Sequence, residues 1–254
     1  MTPDSFSDGG ENTLLKNACE NSIRMTKFGA DFIDIGGEST RPGADKVDQS
    51  DECLRVLPAI QLLESKNIKL SLDTRNASTM KMGILNGVKI INDVSALKNN
   101  KDSIEILKEF GVPLILMHMP GNPKNMMKRN KYLDVSLDVY DFLEERIKFC
   151  ESKGLKKENL IIDPGIGFGK DLDQNILLLK NLSIFHSLGC PIMLGVSRKR
   201  FISGISREDD PKKRLGGTIS ASILALKQGV QIHRVHDVGE INQAIKVFEK
   251  INDS

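Results

Sequence analysis

Short apolar runs alternate along this chain with longer stretches in which apolar side chains recur every three or four positions, a pattern of β-strands followed by amphipathic helices. Residues 2–10 are polar and rich in turn formers, so they read as a loop. Leu14, Leu15, Ala18, Ile23 and Met25 then recur at near-helical spacing as far as Gly29, which suits a helix C-terminus. Residues 31–37 read as a strand and residues 49–66 as a helix, with Leu54, Leu57, Ile60, Leu62 and Leu63 on its apolar side. Six further runs, 69–72, 88–91, 113–116, 160–162, 191–196 and 230–232, read as strands, each with helical spacing after it. Helices are predicted near 101–110, 136–153, 217–227 and 241–250, with Asn76 capping one after the second strand and Asp173 capping one that reaches residue 188.

Seven strand-then-helix units in a row imply parallel strands joined by helical crossovers, and the closed (β/α)8 TIM barrel is the expected architecture, with residues 1–254 as a single domain. Such barrels place functional groups on the loops at the carboxyl ends of the strands, where this chain puts an unusual polar residue after every strand. An open doubly wound sheet, the alternative, would gather such groups at one switch point. The count is one strand short of eight. The loop 2–10 has the character of a strand-to-helix connection, so the expectation is a barrel lacking its first strand, with that strand roughly ten to twenty residues upstream.

Composition narrows the partners. A chain of 254 residues with 39% hydrophobic residues and a net charge of +2, its charges interspersed, has no basic stripe for nucleic acid or an anionic membrane surface. The longest apolar runs are strand-length, too short to cross a bilayer, and no signal peptide precedes the polar opening. Cys19, Cys53, Cys150 and Cys190 lie far apart without metal-binding spacing, which fits reduced thiols in a cytoplasmic protein. A small-molecule partner is the expectation.

The candidate chemistry sits at the strand ends: Thr40 and Arg41, Asp73, Asn92, Met117, Asp163, Lys199, Arg234 and His236. The most informative stretch is Leu160-Ile161-Ile162-Asp163-Pro164-Gly165-Ile166-Gly167-Phe168-Gly169-Lys170, a buried strand that hands a carboxylate to a flexible Gly-rich loop able to approach a ligand. Carboxylate, amide and ammonium converging on one barrel mouth suit a flat heterocycle carrying both donors and acceptors, with Asp163 taking the N–H donors of an aminopyrimidine and Asn92 and Lys199 serving the rest of its edge. Arg41, Arg234 and His236 form a separate cationic set suited to a phosphate or diphosphate. Each position also has a simpler reading: Asp73 as a helix cap, Asn92-Asp93 as a turn, Lys199-Arg200 as solvated charge, Met117 and Met119 as packing residues.

The runs Thr2-Pro3-Asp4-Ser5-Phe6-Ser7-Asp8-Gly9-Gly10, Asp34-Ile35-Gly36-Gly37-Glu38-Ser39-Thr40-Arg41-Pro42-Gly43, Asp163-Pro164-Gly165-Ile166-Gly167-Phe168-Gly169-Lys170, Ser197-Arg198-Lys199 and Arg234-Val235-His236-Asp237, in this order, resemble those of the dihydropteroate synthase family. The resemblance covers essentially the whole chain. It implies condensation of 6-hydroxymethyl-7,8-dihydropterin diphosphate with 4-aminobenzoate to give 7,8-dihydropteroate and diphosphate in folate synthesis. By the same resemblance Asp73, Asn92, Asp163 and Lys199 hold the pterin, Asp73, Asp163 and Lys199 forming the catalytic set, and Met117 and Phe168 line its faces. Thr40 and Arg41, Arg234, His236 and Ser197 contact the substrates, the loops 2–10 and 38–43 close over the site, and outer helices pair the chain into a homodimer.

The resemblance also implies magnesium, whose family ligand is an Asn immediately before the position occupied here by Met1. The expectation is therefore that Met1 is an internal position of a longer protein. Two other functions fit less of the pattern: an impaired, truncated pterin-binding homologue, and a methyltetrahydrofolate:corrinoid methyltransferase domain. The second has no need of the loop 2–10 or of a diphosphate set.

Overall fold

The computed structural model describes residues 11–41 and 43–252, and for residues 11–14 the backbone only. The expectations for Met1, the loop 2–10 and Pro42 fall outside the described residues. Helix α1 (Glu11–Lys27) is followed by β1 (Ile33–Gly36), α2 (Gln49–Glu64), β2 (Leu70–Asp73), α3 (Ala77–Leu85), β3 (Ile90–Asp93), α4 (Ser103–Phe110), β4 (Leu114–Met117) and α5 (Val135–Ser152). Then come β5 (Leu160–Asp163), α6 (Leu172–Lys180), β6 (Met193–Leu194), α7 (Arg200–Ser206), α8 (Leu215–Lys227), β7 (Ile232–His233) and α9 (Val238–Asn252).

The strands are all parallel. β1 to β5 pair in sequence order, β6 pairs with β7, and a single bridge between Ile162 and Ile192 joins the two groups. The architecture is the TIM barrel, with seven strands among the described residues. Between β7 and β1 no ladder hydrogen bond runs among the described residues, and the Arg234 side chain reaches across to Asp34 instead.

Strand alternation sorts side chains between two apolar layers. One set of strand residues, among them Leu70, Leu72, Leu114, Leu116, Leu160, Ile162, Ile192 and Leu194, faces the helices and forms the main core with Val56, Ile60, Leu63, Leu143 and Phe185. The other set points into the barrel. Ile115, Ile161 and Met193, with Ile90 and Ile232 against them, plug its lower part. Two residues further along each strand the same inward direction delivers Asp73, Asn92, Met117, Asp163, Gly195 and Arg234 to the upper part. The hydrophobic plug is what turns a pore into a cup.

Two predicted caps are corrected. Asn76 occupies the N-cap of α3 but makes no capping bond, because its Nδ2 donates to Glu52 Oε2 at 2.8 Å and its Oδ1, the atom that would cap, accepts from Asn99 Nδ2 at 3.2 Å. The helix assigned to Asp173 is capped by Asp171, which forms a capping box with Gln174, and it ends at Lys180, with a separate 3-10 segment Leu182–Leu188 after it.

Candidate active site

Register fixes the upper ring. Gly36 pairs with Asp73, Asp73 with Asn92, and Met117 with Asp163, so these residues stand at one level around the mouth. Asn92, Met117 and Asp163 are buried, and Asp73 and Lys199 are half-buried. A second apolar cluster of Val94, Met117, Met119 and Met126, with Phe168 against it, makes one wall. Met117 and Met119 are thus packing residues, while His118 points away from the mouth.

The Gly-rich loop is held at almost every residue, contrary to the flexible loop expected from its glycines. Gly165 N–H donates to Asp163 Oδ1 at 2.7 Å and Gly167 N–H to Asn175 Oδ1 at 2.6 Å. Tyr132 O–H donates to the Gly169 carbonyl at 2.9 Å, and the Ile166 carbonyl accepts from Lys199 Nζ. Gly165, at φ +72°, is where the backbone needs glycine, because a Cβ there would lie 2.0 Å from the His118 carbonyl oxygen. These glycines allow close packing rather than motion. Lys199 Nζ also lies 4.8 Å over the Phe168 ring, which stacks ammonium, ring and Asp163 on one side of the cup.

Arg234, at the end of β7, donates from Nε to Asp34 Oδ2 at 2.7 Å and lies 3.6 Å from Asp73 Oδ2. Asn92 Nδ2 also donates to Asp34 Oδ2 at 3.3 Å. Asp34 is the functional residue that strand-end reasoning missed, since it lies mid-strand; its signal is an acidic residue at the inward phase, two positions before Gly36, in an otherwise apolar strand. Asp34 Oδ1 and Asn92 Oδ1 are buried without a partner. Buried acceptors left open in this way are ready for a ligand's donors.

The electrostatics follow from burial. Asp73 is pushed up to about 7 by burial and by neighbouring Asp34, against the pull of Arg234. Asp163 is raised by burial, offset in part by Lys199 and the Gly165 amide. Burial lowers Lys199 to about 8, with Asp163 opposing. Arg234 is held firmly protonated, by Asp34 before all.

His236 stands close to the arginines of the expected cationic set. Burial, then Arg198 and Arg234, push it below the usual histidine range against the pull of Asp237, with Arg41 adding to the lowering. Its Nδ1 lies 2.9 Å from Ser197 Oγ, which also accepts the His236 backbone N–H at 3.2 Å. Arg198 turns away to pair with Asp237. Arg41 is exposed and close enough to act on His236, while Thr40 is half-buried in the loop after β1. That loop is tied down at its base, because the buried Glu38 carboxylate accepts two bonds from Arg75, each 2.8 Å, and one from Val47 N–H at 3.0 Å.

The structure therefore gathers Asp73, Asn92, Met117, Asp163, Phe168, Lys199 and Arg234 at one cup and adds Asp34, with His236 and Ser197 together at its rim. Sequence reasoning also missed Glu52, buried on α2, which accepts from Thr74, Asn76 and Thr79 and fixes the turn that carries Asp73. Among the described residues no group of three or more His, Cys, Asp or Glu is placed to hold a metal. Nor is any helix of the described residues long and apolar enough to cross a membrane.

The chain is similar in sequence and fold to known enzymes. The profile of a family described as pterin binding enzyme matches residues 1–236. Dihydropteroate synthase of Escherichia coli K12 is 41% identical over 98% of this chain and 88% of its own length. Dihydropteroate synthase of Xanthomonas albilineans, solved with 4-aminobenzoic acid, superposes with a TM-score of 0.93 at 40% identity, covering 100% of this chain and 90% of that one. The same enzyme solved in complex with 7,8-dihydropteroate gives 0.89 at 37% identity over 99% and 90%. With a profile match over most of its length and such relatives across nearly all of it, the chain belongs to the pterin-binding enzyme family, among the dihydropteroate synthases.

Proposed function

We propose that Asp73, Asn92, Asp163 and Lys199 hold the pterin in an enzyme that condenses 6-hydroxymethyl-7,8-dihydropterin diphosphate with 4-aminobenzoate, giving the 7,8-dihydropteroate of folate biosynthesis. The observation that supports the placement is the set of buried Asn92 and Asp163 with half-buried Asp73, Asn92 Oδ1 lacking a partner, beside Lys199 over the Phe168 ring. Asp163 Oδ1 is taken by Gly165, so Oδ2 is the atom left for the ligand's N–H groups. Met117 and Phe168 pack on the ring faces.

In the reaction the bond between the exocyclic methylene and the diphosphate oxygen breaks, and its electron pair leaves with diphosphate. Arg234 is the charged donor at that end, aimed by Asp34; His236, oriented by Ser197, offers a second donor, and Arg41 and Thr40 approach from the loop after β1. The positive charge left on the methylene spreads into the pterin, where the Asp163 and Asp73 carboxylates favour it. The aromatic amine then forms the new C–N bond and releases a proton to solvent. Because that amine is a weak base, the site's contribution is positioning and exclusion of water rather than a strong general base.

The described residues do not form a cage for magnesium, so we assign the ion to the substrate diphosphate, the usual way in which this hydrated cation is held. We further propose that residues 1–254 act as one domain in the cytoplasm, in keeping with four free thiols, and pair through outer helices. The apolar groove of about 460 Å³ along α8 and α9, lined by Ile219, Ala244, Val247, Phe248 and Ile251, suits a second copy. A monomer in sedimentation velocity would remove that part. For the reaction itself, purified chain is incubated with dihydropterin diphosphate, 4-aminobenzoate and magnesium, and dihydropteroate is followed by mass spectrometry. Product from wild type and none from Arg234→Met is expected; product formed equally by both would reject the assignment of Arg234.

A further inference from the structure

Lys170 closes the Gly-rich motif, and no step above uses it. It is buried, with Nζ bonded to the Gly165 carbonyl at 2.9 Å, the Phe168 carbonyl at 3.1 Å and His118 Nδ1 at 2.9 Å. An ammonium has three hydrogens, and each of these acceptors takes one. His118 belongs to the end of β4, where its N–H donates to the Asp163 carbonyl at 2.9 Å, and its ring is buried edge-on against Phe142 at 4.8 Å. One nitrogen therefore ties the end of β4 to both ends of the loop that follows β5.

We propose that Lys170, with His118 as its third acceptor, is the positioning residue for the pterin half of the site. Pulling the Gly165 carbonyl inward turns the Gly165 amide onto Asp163, which leaves one carboxylate oxygen for the ligand. Pulling the Phe168 carbonyl inward sets the Phe168 ring beneath Lys199, whose own Nζ is seated on the Ile166 carbonyl between them. Protonation is in keeping with this geometry. His118 is driven well below the usual range by burial and by Lys170, and because an ammonium only donates, its Nδ1 accepts and the ring proton sits on Nε2. Lys170 is lowered to about 7 by burial and supported by Asp163, with Lys199 opposing, so its charge depends on that carboxylate. The loop, Asp163 and Lys170 are thus joined through the Gly165 peptide groups.

The inference rests on the pterin lying against Asp163, and the test separates the two. Binding of 6-hydroxymethylpterin and of inorganic diphosphate is measured by calorimetry on the full chain for wild type, Lys170→Met, His118→Leu, His118→Gln and Asp163→Asn. Lys170→Met is expected to weaken the pterin about tenfold or more, the loss of one charge-assisted hydrogen bond's worth of alignment, and to leave diphosphate within about twofold. His118→Leu should weaken the pterin as well, while His118→Gln, which keeps an acceptor for Nζ, should recover most of the loss. Equal weakening of both ligands would reduce Lys170 to general structural support and overturn the proposal. So would pterin binding by Lys170→Met unchanged while Asp163→Asn is weakened. Unchanged binding in Asp163→Asn would instead refute the placement of the pterin, and the role of Lys170 with it. Should Lys170→Met fail to fold, the His118 pair decides: Leu weak and Gln near wild type supports the proposal, and both unchanged overturns it.

Discussion

Replacing Asp163 with Asn should move binding and stability in opposite directions. The side chain is 4% exposed, and one oxygen accepts the Gly165 amide at 2.7 Å. Asn must keep its carbonyl oxygen on Gly165, because its NH2 there would face another donor; the NH2 is then aimed at the ligand, where two N–H groups of an aminopyrimidine also point. The variant loses a charge-assisted hydrogen bond, worth about 1.5–3 kcal/mol, and gains a donor facing a donor, so pterin affinity should fall by roughly ten- to a hundredfold or more. Without ligand the sign reverses. Burial raises the carboxyl against the pull of Lys199 and Gly165, so the ionised form costs free energy in the empty cup, and Asn should leave the fold as stable or more stable at pH 8. Calorimetric titration with 6-hydroxymethylpterin and urea denaturation of the ligand-free protein measure the two quantities. Affinity within twofold of wild type would refute the pterin placement, and a large loss of stability would refute the electrostatic account of the empty site.

Asp73 should contribute a loss of stability to the ligand-free protein between about pH 4 and pH 7, read as the difference between wild type and Asp73→Asn. Asp73 has a folded-state pKa of about 7 against 3.8 unfolded, so the folded state keeps a proton that the unfolded state has released, and Asp163 adds to the same trend. The slope is at most about 1.4 kcal/mol per pH unit for each group, and Asp73→Asn should flatten it in urea denaturation at pH 5 and pH 7. Gly165→Ala should cost about 3 kcal/mol or more, since its Cβ would meet the His118 carbonyl oxygen, whereas Gly216→Ala, with open space around an exposed position in α8, should stabilise by up to about 1 kcal/mol; thermal denaturation separates them. Arg75→Met leaves the Glu38 carboxylate buried without its partner, 5% exposed, and should cost about 3–5 kcal/mol and release the loop carrying Thr40, read as faster hydrogen exchange over residues 38–48.

The legible part of the site came from periodicity. A parallel strand with both faces covered must be apolar for most of its length, so the residue at which polarity begins marks its carboxyl end, and Asp73, Asn92 and Asp163 stood out for that reason. Asp34 escaped because it does not sit where its strand stops, although inward-facing positions can be polar as soon as the apolar plug ends below them. Glu52 escaped for a different reason: it shares the buried face of α2 with Val56, Ala59, Ile60 and Leu63, and a lone acid on an apolar stripe was passed over. Its partners Thr74, Asn76 and Thr79 lie more than twenty residues on, and no local rule pairs them. The Asn76 cap was misread because local geometry offered it a helix end while a buried carboxylate offered a stronger, charge-assisted bond. The lowered basicity of His236 depends on burial first and then on arginines brought near it by the fold.

The charge states of the cup bear on how it works. Asp73 and Asp163 are held above the ordinary carboxylate range and Lys199 below the ordinary ammonium range, which means that each is under-solvated for its charged form before a ligand arrives. A pterin edge offers donors to the carboxylates and an acceptor to the ammonium, so binding supplies to all three what burial removed. The same groups are better satisfied still when the ring carries positive charge after diphosphate departs, because carboxylates interact more strongly with a cation than with a neutral ring in a site of low polarity. Arg234 completes the separation. It keeps its charge at any physiological pH through Asp34 and Asp73. On the proposed placement, leaving negative charge meets Arg234 and developing positive charge meets the Asp73 and Asp163 carboxylates, each pre-set by its own neighbours.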